Sequence, residues 1–316
     1  MNVSGVKPAK AKRRGLLQEI KADYKRNKYV IYMAIPVFAW YLIFCYIPMF
    51  GVAIGFFDYN IAKGFAGSTF VGLKHFRDFL TGFYAARTIG NTLCISIMNL
   101  IFGFPAPILI ALLLNEVRCN IFKRTVQTVT YLPHFISVVV VCGMLVDFAA
   151  KDGVFNDIME FFGQERVSFL LQPEYFRGFY VASGIWQSAG WGAIIYLAAL
   201  AGIDTQLYEA ATLDGAGRFR SFLHVTLPGI APTIIIMLIL NMGKMMSEGA
   251  EKIILLYNES TYETADTIAS FVYRRGIVES NYSYSTAVGL FNAAVNLILL
   301  TSTNYLSKKI SGSSLW

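Results

Sequence analysis

Residue types able to carry chemistry are sparse in this chain, and their spacing excludes most of it. Three histidines, His75, His134 and His224, lie far apart, and no HExxH pair places two of them on one helix face. A zinc site therefore has no ligand set. Four cysteines, Cys45, Cys94, Cys119 and Cys142, show no CxxC or other ligand spacing and read as free thiols. No GxxxxGK(S/T) segment is present to cradle nucleotide phosphates. Neither a Ser/His/Asp spacing nor a carboxylate pair suits covalent or acid–base catalysis. The expectation is no catalytic residue, no metal and no cofactor bound by this chain; it is not an enzyme.

The informative spacing lies instead in one polar segment, Tyr208-Glu209-Ala210-Ala211-Thr212-Leu213-Asp214-Gly215-Ala216, which runs on to Val225-Thr226-Leu227-Pro228. Asp204 or Thr205 can cap a short helix starting near Gln206. Gly215 suits its end or a sharp bend. Leu207, Ala210, Ala211 and Asp214 fall on one side at i, i+3, i+4 and i+7, and the small alanines let a partner approach the backbone. Arg218 and Phe219 begin a second short helix, which Pro228 closes where the chain turns apolar again. This is the pattern of a docking knob, not of a reactive site.

The elements that hold the knob are hydrophobic. Of 316 residues, 55% are hydrophobic and 15% charged, with a mean hydropathy of +0.51. Soluble domains run nearer a quarter charged, so the composition points to a bilayer. Apolar runs long enough to span one are expected near 29–54, 89–114, 124–149, 178–203, 229–247 and 284–307. The third is interrupted by Pro133 and His134, and Pro36, Pro48, Pro105 and Pro107 mark candidate kinks. The first run is longer than the apolar core of a signal peptide and no small-residue cleavage site follows it, so it reads as an uncleaved span. The fold class expected is an all-α integral membrane protein of six transmembrane helices.

Net charge is +7, but the positive residues sit beside apolar runs and no basic–aromatic nucleic-acid motif appears. Nine of them precede the first span: Lys7, Lys10, Lys12, Arg13, Arg14, Lys21, Lys25, Arg26 and Lys28. Arg118, Lys123 and Arg124 flank the loop after the second span, Arg218 and Arg220 that after the fourth, and Lys308 and Lys309 follow the sixth. By the positive-inside rule these alternate loops and both termini are cytoplasmic. The opposite loops, 55–88, 150–177 and 248–283, carry acids such as Asp152, Asp157, Glu160, Glu165, Glu251 and Glu263. The organisation expected is a basic cytoplasmic tail over 1–28, a transmembrane domain over 29–310 with its loop at 204–228, and a short tail over 311–316. In the basic tail, Leu16, Leu17, Ile20 and Tyr24 recur at helical spacing, as in a helix lying on a membrane surface; a solvated basic tail fits the same pattern.

Glu209, Ala210 and Ala211, then Gly215 after three residues, Val225 after nine more, and Leu227-Pro228 resemble the signature of permease subunits of binding-protein-dependent ATP-binding-cassette (ABC) importers. Valine stands where isoleucine is commoner. The resemblance is closest to the carbohydrate branch, the permeases of lipoprotein-dependent oligosaccharide and polysaccharide importers. It extends to Leu255-Leu256-Tyr257-Asn258, Tyr262-Glu263-Thr264-Ala265-Asp266, Tyr273-Arg274-Arg275-Gly276, Thr286-Ala287-Val288-Gly289-Leu290-Phe291-Asn292 and the ending Ser314-Leu315-Trp316. Gly249-Ala250-Glu251-Lys252 departs from that branch, which commonly has phenylalanine at the second position. The resemblance implies a type I importer permease fold in a bacterial plasma membrane. It also implies ATPase coupling through Glu209, Ala210, Ala211, Asp214, Gly215, Leu227 and Pro228. Its implied partners are a homologous second permease, a cytoplasmic ATPase dimer that uses the ATP, and an extracytoplasmic solute-binding lipoprotein.

Polar and aromatic residues inside spans are costly when they face lipid, so Trp186, Gln187, Trp191, Asn241, Asn292 and Asn296 are candidates for the solute pathway. Sugars offer apolar ring faces and hydroxyl edges that suit such groups. Interfacial anchoring explains the tryptophans equally well, and helix–helix hydrogen bonding explains the asparagines. Lys244 and Glu248 stand i, i+4 and are placed to pair. An importer of the same architecture for a non-sugar solute is the alternative. An ion-driven secondary transporter ranks below it, because the spans hold few ionisable groups and show no inverted repeat.

Overall fold

A bilayer offers the backbone no partners, so each long apolar run must satisfy its N–H and C=O groups internally as helix. The computed structural model describes residues 16–316 apart from Glu248. Residues 1–15 of the basic tail, and the proposed Lys244–Glu248 pair, lie outside the described residues. Four helical stretches are long and apolar enough to cross a membrane: Arg26–Phe56, Phe83–Glu116, Arg218–Met242 and Tyr282–Ser311. Two bent pairs, Asn120–Phe135 with Val138–Phe161 and Pro173–Ala201 with Thr205–Leu213, bring the count to six if each is one span.

The chain packs as two units, up to Ala53 and from Ile54 onward. In the first, α1 (Leu16–Tyr41) continues the basic tail into the first apolar run, leaving helical geometry at Asn27 (φ −117°, ψ 22°) where charged sequence meets apolar. In the second, β1 (Phe57–Asp58) and β2 (Thr69–Phe70) form a small antiparallel hairpin, an addition to the all-helical expectation. Tyr59 N–H donates to Ser283 Oγ (2.8 Å), which ties this loop to the last helix.

There follow α2 (Lys74–Leu80), α3 (Phe83–Met98), α4 (Pro105–Glu116), α5 (Asn120–Tyr131), α6 (Val138–Ala149), α7 (Val154–Phe161) and α8 (Pro173–Ala201). Beyond them run α9 (Thr205–Leu213), α10 (Arg218–Ser221), α11 (Leu227–Met242), α12 (Ala250–Leu256), α13 (Ile268–Tyr273) and α14 (Tyr282–Ser311). Many large apolar side chains of these helices stay exposed, among them Phe102, Leu109, Leu113, Leu297 and Ile298. Exposure on that scale suits lipid and not water.

Prolines act here by widening a turn more than by ending a helix. Pro48, Pro105 and Pro228 each follow a five-residue π turn, at Leu42–Tyr46, Asn99–Gly103 and Phe222–Thr226. Proline donates no hydrogen bond and its ring presses on the preceding turn, so the ladder spreads. Pro228 therefore does not close the second short helix: α10, the π turn and α11 run on as one stretch, Arg218–Met242.

Two spans depart from their expected form. The run 124–149 is not straight but bent by 100° after Phe135. Pro133 sits in a 3-10 turn, Ile136 is extended, and Ser137 Oγ caps α6 by accepting from Val140 N–H (3.3 Å). The fifth span stops at Met242 rather than 247. Turns occupy the described residues between Gly243 and Gly249, and the short α12 follows. Gly249 is left-handed (φ +74°), and a Cβ there would lie 1.4 Å from the Tyr180 hydroxyl. Only glycine meets both demands.

At one end of α3 and α8, the segment between α12 and α14 is held by a buried ion cluster. Asp266 is fully buried and accepts from Arg87 (3.1 Å) and Arg274 (2.7 Å). Burial disfavours the Arg274 charge, but the Asp266 hydrogen bonds and charge outweigh it and hold Arg274 above the ordinary guanidinium range. Arg177 donates to Asn91 Oδ1 (2.8 Å), and Asn91 Nδ2 donates to the Glu263 and Asp266 carbonyls (2.9 and 3.1 Å).

Candidate functional site

Two features stand out: the knob between the fourth and fifth spans, and a cavity among the helices. In the knob, Asp204 is extended and its side chain accepts from Gln206 N–H (2.9 Å), which starts α9. The helix ends with Gly215 at φ +75°. Ala216 N–H reaches back to the Ala211 carbonyl (2.9 Å) and Gly215 N–H to that of Thr212 (3.1 Å). This is the six-to-one and five-to-two bonding of a glycine-terminated helix.

Tyr208 turns inward and shares a 3.0 Å hydrogen bond with Thr226, itself buried. Ile203 packs where a Gly229 side chain would otherwise stand. The knob is thereby anchored to the base of α11 and leaves the chain at 66° to α8.

Its outer surface is open. Glu209, Ala210 and Asp214 are exposed and Ala211 is half-buried. Leu213 and Phe219 are 89% and 73% exposed, so apolar groups flank the acidic ones. Leu227 and Pro228 open α11, outside the short helix of the knob. Of the seven coupling candidates, the five in 209–215 share one short helix and its end. Such a rigid, protruding helix with a mixed apolar and acidic face can transmit force to a partner that grips it.

The second feature is a cavity of about 460 Å³ bounded by α8, the π turn before α4, α11 and α12. Tyr180, Gly184, Ser188 and Tyr196 line it from α8, Asn99 from the π turn, Asn241 from α11 and Lys252 from α12. It lies between one buried cluster around Phe176, Tyr180 and Ile253 and another around Ala193, Tyr196 and Ile230. Apolar walls carrying a few polar groups are what a small-molecule site needs.

Of the six pathway candidates, Asn241 alone lines this cavity. Trp186 faces a separate apolar hollow of about 420 Å³ with Phe148, Phe155 and Phe179. Gln187 Nε2 donates to the Ile136 carbonyl (3.1 Å), satisfying backbone freed by the break after Phe135. Trp191 stacks on His134 at 4.8 Å. Asn292 and Asn296 donate to Ser247 Oγ (3.1 and 2.7 Å), and Asn296 accepts from Met246 N–H (2.9 Å). These two asparagines pin the non-helical turn after α11. The reading of residue types alone passed over Lys252, Tyr180, Asn99 and Ser188. A charge directly before the apolar stretch Ile253-Ile254-Leu255-Leu256 was the available signal for Lys252.

Residues 103–312 match the protein family described as "Binding-protein-dependent transport system inner membrane component". The polygalacturonan/rhamnogalacturonan transport system permease protein YteP of Bacillus subtilis (strain 168) is 44% identical over 292 residues, covering 92% of this chain and 91% of that protein. Two crystal structures are similar along nearly the whole chain. One is a bacterial alginate ABC transporter in complex with an alginate pentasaccharide-bound periplasmic protein (TM-score 0.86, 41% identity, 93% of this chain and 99% of that one). The other is a bacterial ABC transporter involved in the import of the acidic polysaccharide alginate (TM-score 0.85, 42% identity, the same coverage).

Proposed function

The chain belongs to the family of binding-protein-dependent transport system inner membrane components, and on that premise we propose that it forms one half of a saccharide translocation pathway driven by a separate ATPase. Its fold is that of type I ABC importer permeases, and its relatives are named for saccharide transport. The observation that carries the coupling role is the knob: a capped, glycine-terminated helix, exposed on its outer face and bonded through Tyr208 to the base of α11.

In this reading the assembly comprises a homologous second permease, a cytoplasmic ATPase dimer and an extracytoplasmic solute-binding lipoprotein. Both termini and the 204–228 loop are cytoplasmic. ATP binding draws the two ATPases together, the knob follows its groove, and α11 moves with the knob. Transport is then a shift between two packings of one bundle, biased by a partner that binds them unequally. Glu209 and Asp214 orient the knob by charge, Ala210 and Ala211 allow close docking, Gly215 permits the bend, and Leu227 with Pro228 passes movement to the span.

The test is affinity capture of the chain from native membranes in mild detergent, followed by mass spectrometry. Recovery of a second permease, a Walker-type ATPase and a saccharide-binding lipoprotein is the expected outcome. Reproducible capture of the chain alone, even after crosslinking, would defeat the coupling role.

A further inference from the structure

We propose that Lys252 is the carboxylate-contacting residue of the pathway and that the saccharide carried is a uronic-acid oligomer. The inference rests on the importer reading above and narrows its substrate class.

The observation behind it is a buried cation facing a cavity. Lys252 is 7% exposed and lines the cavity of about 460 Å³ among the helices. Its ammonium has three N–H donors, yet it makes one long hydrogen bond, 3.4 Å to the Tyr180 carbonyl. The Tyr180 ring lies 5.3 Å from Nζ. Among the described residues no carboxylate pairs with Lys252, and those lining the cavity include no acid. The fully buried carboxylate of the region, Asp266, is held by two arginines.

A buried ammonium with donors to spare is costly unless a ligand completes its shell. The wall opposite is open for one, because α8 presents Gly184, where even a Cβ would stand 3.8 Å from Nζ. Tyr180, Ser188, Asn99 and Asn241 add an aromatic face and polar edges around the same space. A solute that offers ring faces, hydroxyls and a carboxylate fits this set better than a neutral sugar, which would leave the cation unanswered. The similar chains named for polygalacturonan and alginate transport handle polymers whose repeating units carry carboxylates, which agrees in chemistry.

The test uses the complete assembly, with its partner permease, ATPase and binding protein, in proteoliposomes. Initial ATP-driven uptake is measured for galacturonate and mannuronate trimers and for their neutral methyl esters. Lys252→Met keeps length and removes charge; Lys252→Arg keeps charge. Loss of one charge-assisted hydrogen bond predicts that Lys252→Met lowers acid uptake by about tenfold or more, leaves ester uptake within a few fold, and is rescued by Lys252→Arg. The binding protein is the same throughout, so its own preference cancels in each mutant-to-wild-type ratio.

An equal fall for acid and ester, or no fall for the acid, overturns the proposal. If the wild type carries no ester, the Arg-to-Met ratio on the acid decides, and a ratio near one overturns it. ATP-driven uptake of neutral saccharides but of no uronate sinks this inference alone. Absence of ATP-driven uptake of any saccharide sinks the importer reading as well.

Discussion

Gly215→Val is the substitution that isolates knob geometry from everything else. The native φ is +75°, and beyond the glycine and its two chain neighbours no heavy atom lies within 4 Å of the place a Cβ would occupy. The penalty is therefore one of backbone conformation alone, about 1–2 kcal/mol for a Cβ in left-handed geometry. At about 1.4 kcal/mol per tenfold, the capped form of α9 loses roughly 5- to 30-fold in population relative to alternatives that abandon the Ala216-to-Ala211 bond. Asparagine tolerates the same geometry far better, so Gly215→Asn is the matched control. In reconstituted assemblies at equal permease content, the assay is saccharide taken up per ATP hydrolysed, with ATPase stimulation by loaded binding protein read in parallel. Valine is expected to lower coupling several-fold with membrane insertion unchanged, and asparagine to keep most of it. Wild-type coupling in the valine variant, or equal damage from both, would refute the reasoning.

Three further outcomes follow from particular contacts. Asp266→Asn strips the charge that two arginines share in a fully buried site, and is expected to destabilise by about 3–5 kcal/mol; a detergent-solubilised melting temperature within a degree of wild type would contradict this. Tyr208→Phe removes the bond to Thr226 and costs about 0.5–1.5 kcal/mol. It should lower uptake per ATP a few-fold without altering the amount in the membrane, and unchanged stoichiometry in the uptake assay would count against the anchor. Gly249→Ala drives a methyl group into the Tyr180 hydroxyl and is expected to displace α12, read as loss of monodisperse protein on size exclusion; a well-behaved variant would show that this turn yields.

The buried cluster around Asp266 also explains how arginines come to sit in a loop expected outside the cytoplasm. Arg87 and Arg274 share one carboxylate, while Arg177 binds the Asn91 side chain and the Thr264 carbonyl. These positive charges are tied into packing between α3, α8 and the segment before α14, so they fasten the fold.

Much of the molecule was legible without coordinates, because the forces concerned are local along the chain. A run of apolar residues long enough to span a bilayer must be helix wherever it lies, so the spans were readable from hydropathy. The knob was readable for a similar reason: Asp204 caps the turn beside it, and Gly215 ends the helix it follows. What failed locally failed where a distant residue intervened. The fifth span ends early in a turn that Asn292 and Asn296 hold from about fifty residues away, and Gly249 beyond it answers to Tyr180. Asn241, Asn292 and Asn296 are one residue type in apolar helices, yet one faces a cavity and two fasten a turn. Spacing cannot tell them apart, because helical periodicity gives a residue a face but not the neighbour that face meets. The cavity itself joins residues 99, 180, 241 and 252. Sequence alone determined that this chain crosses a membrane and presents a capped, glycine-terminated knob; only tertiary packing decided where a buried lysine is left facing open space.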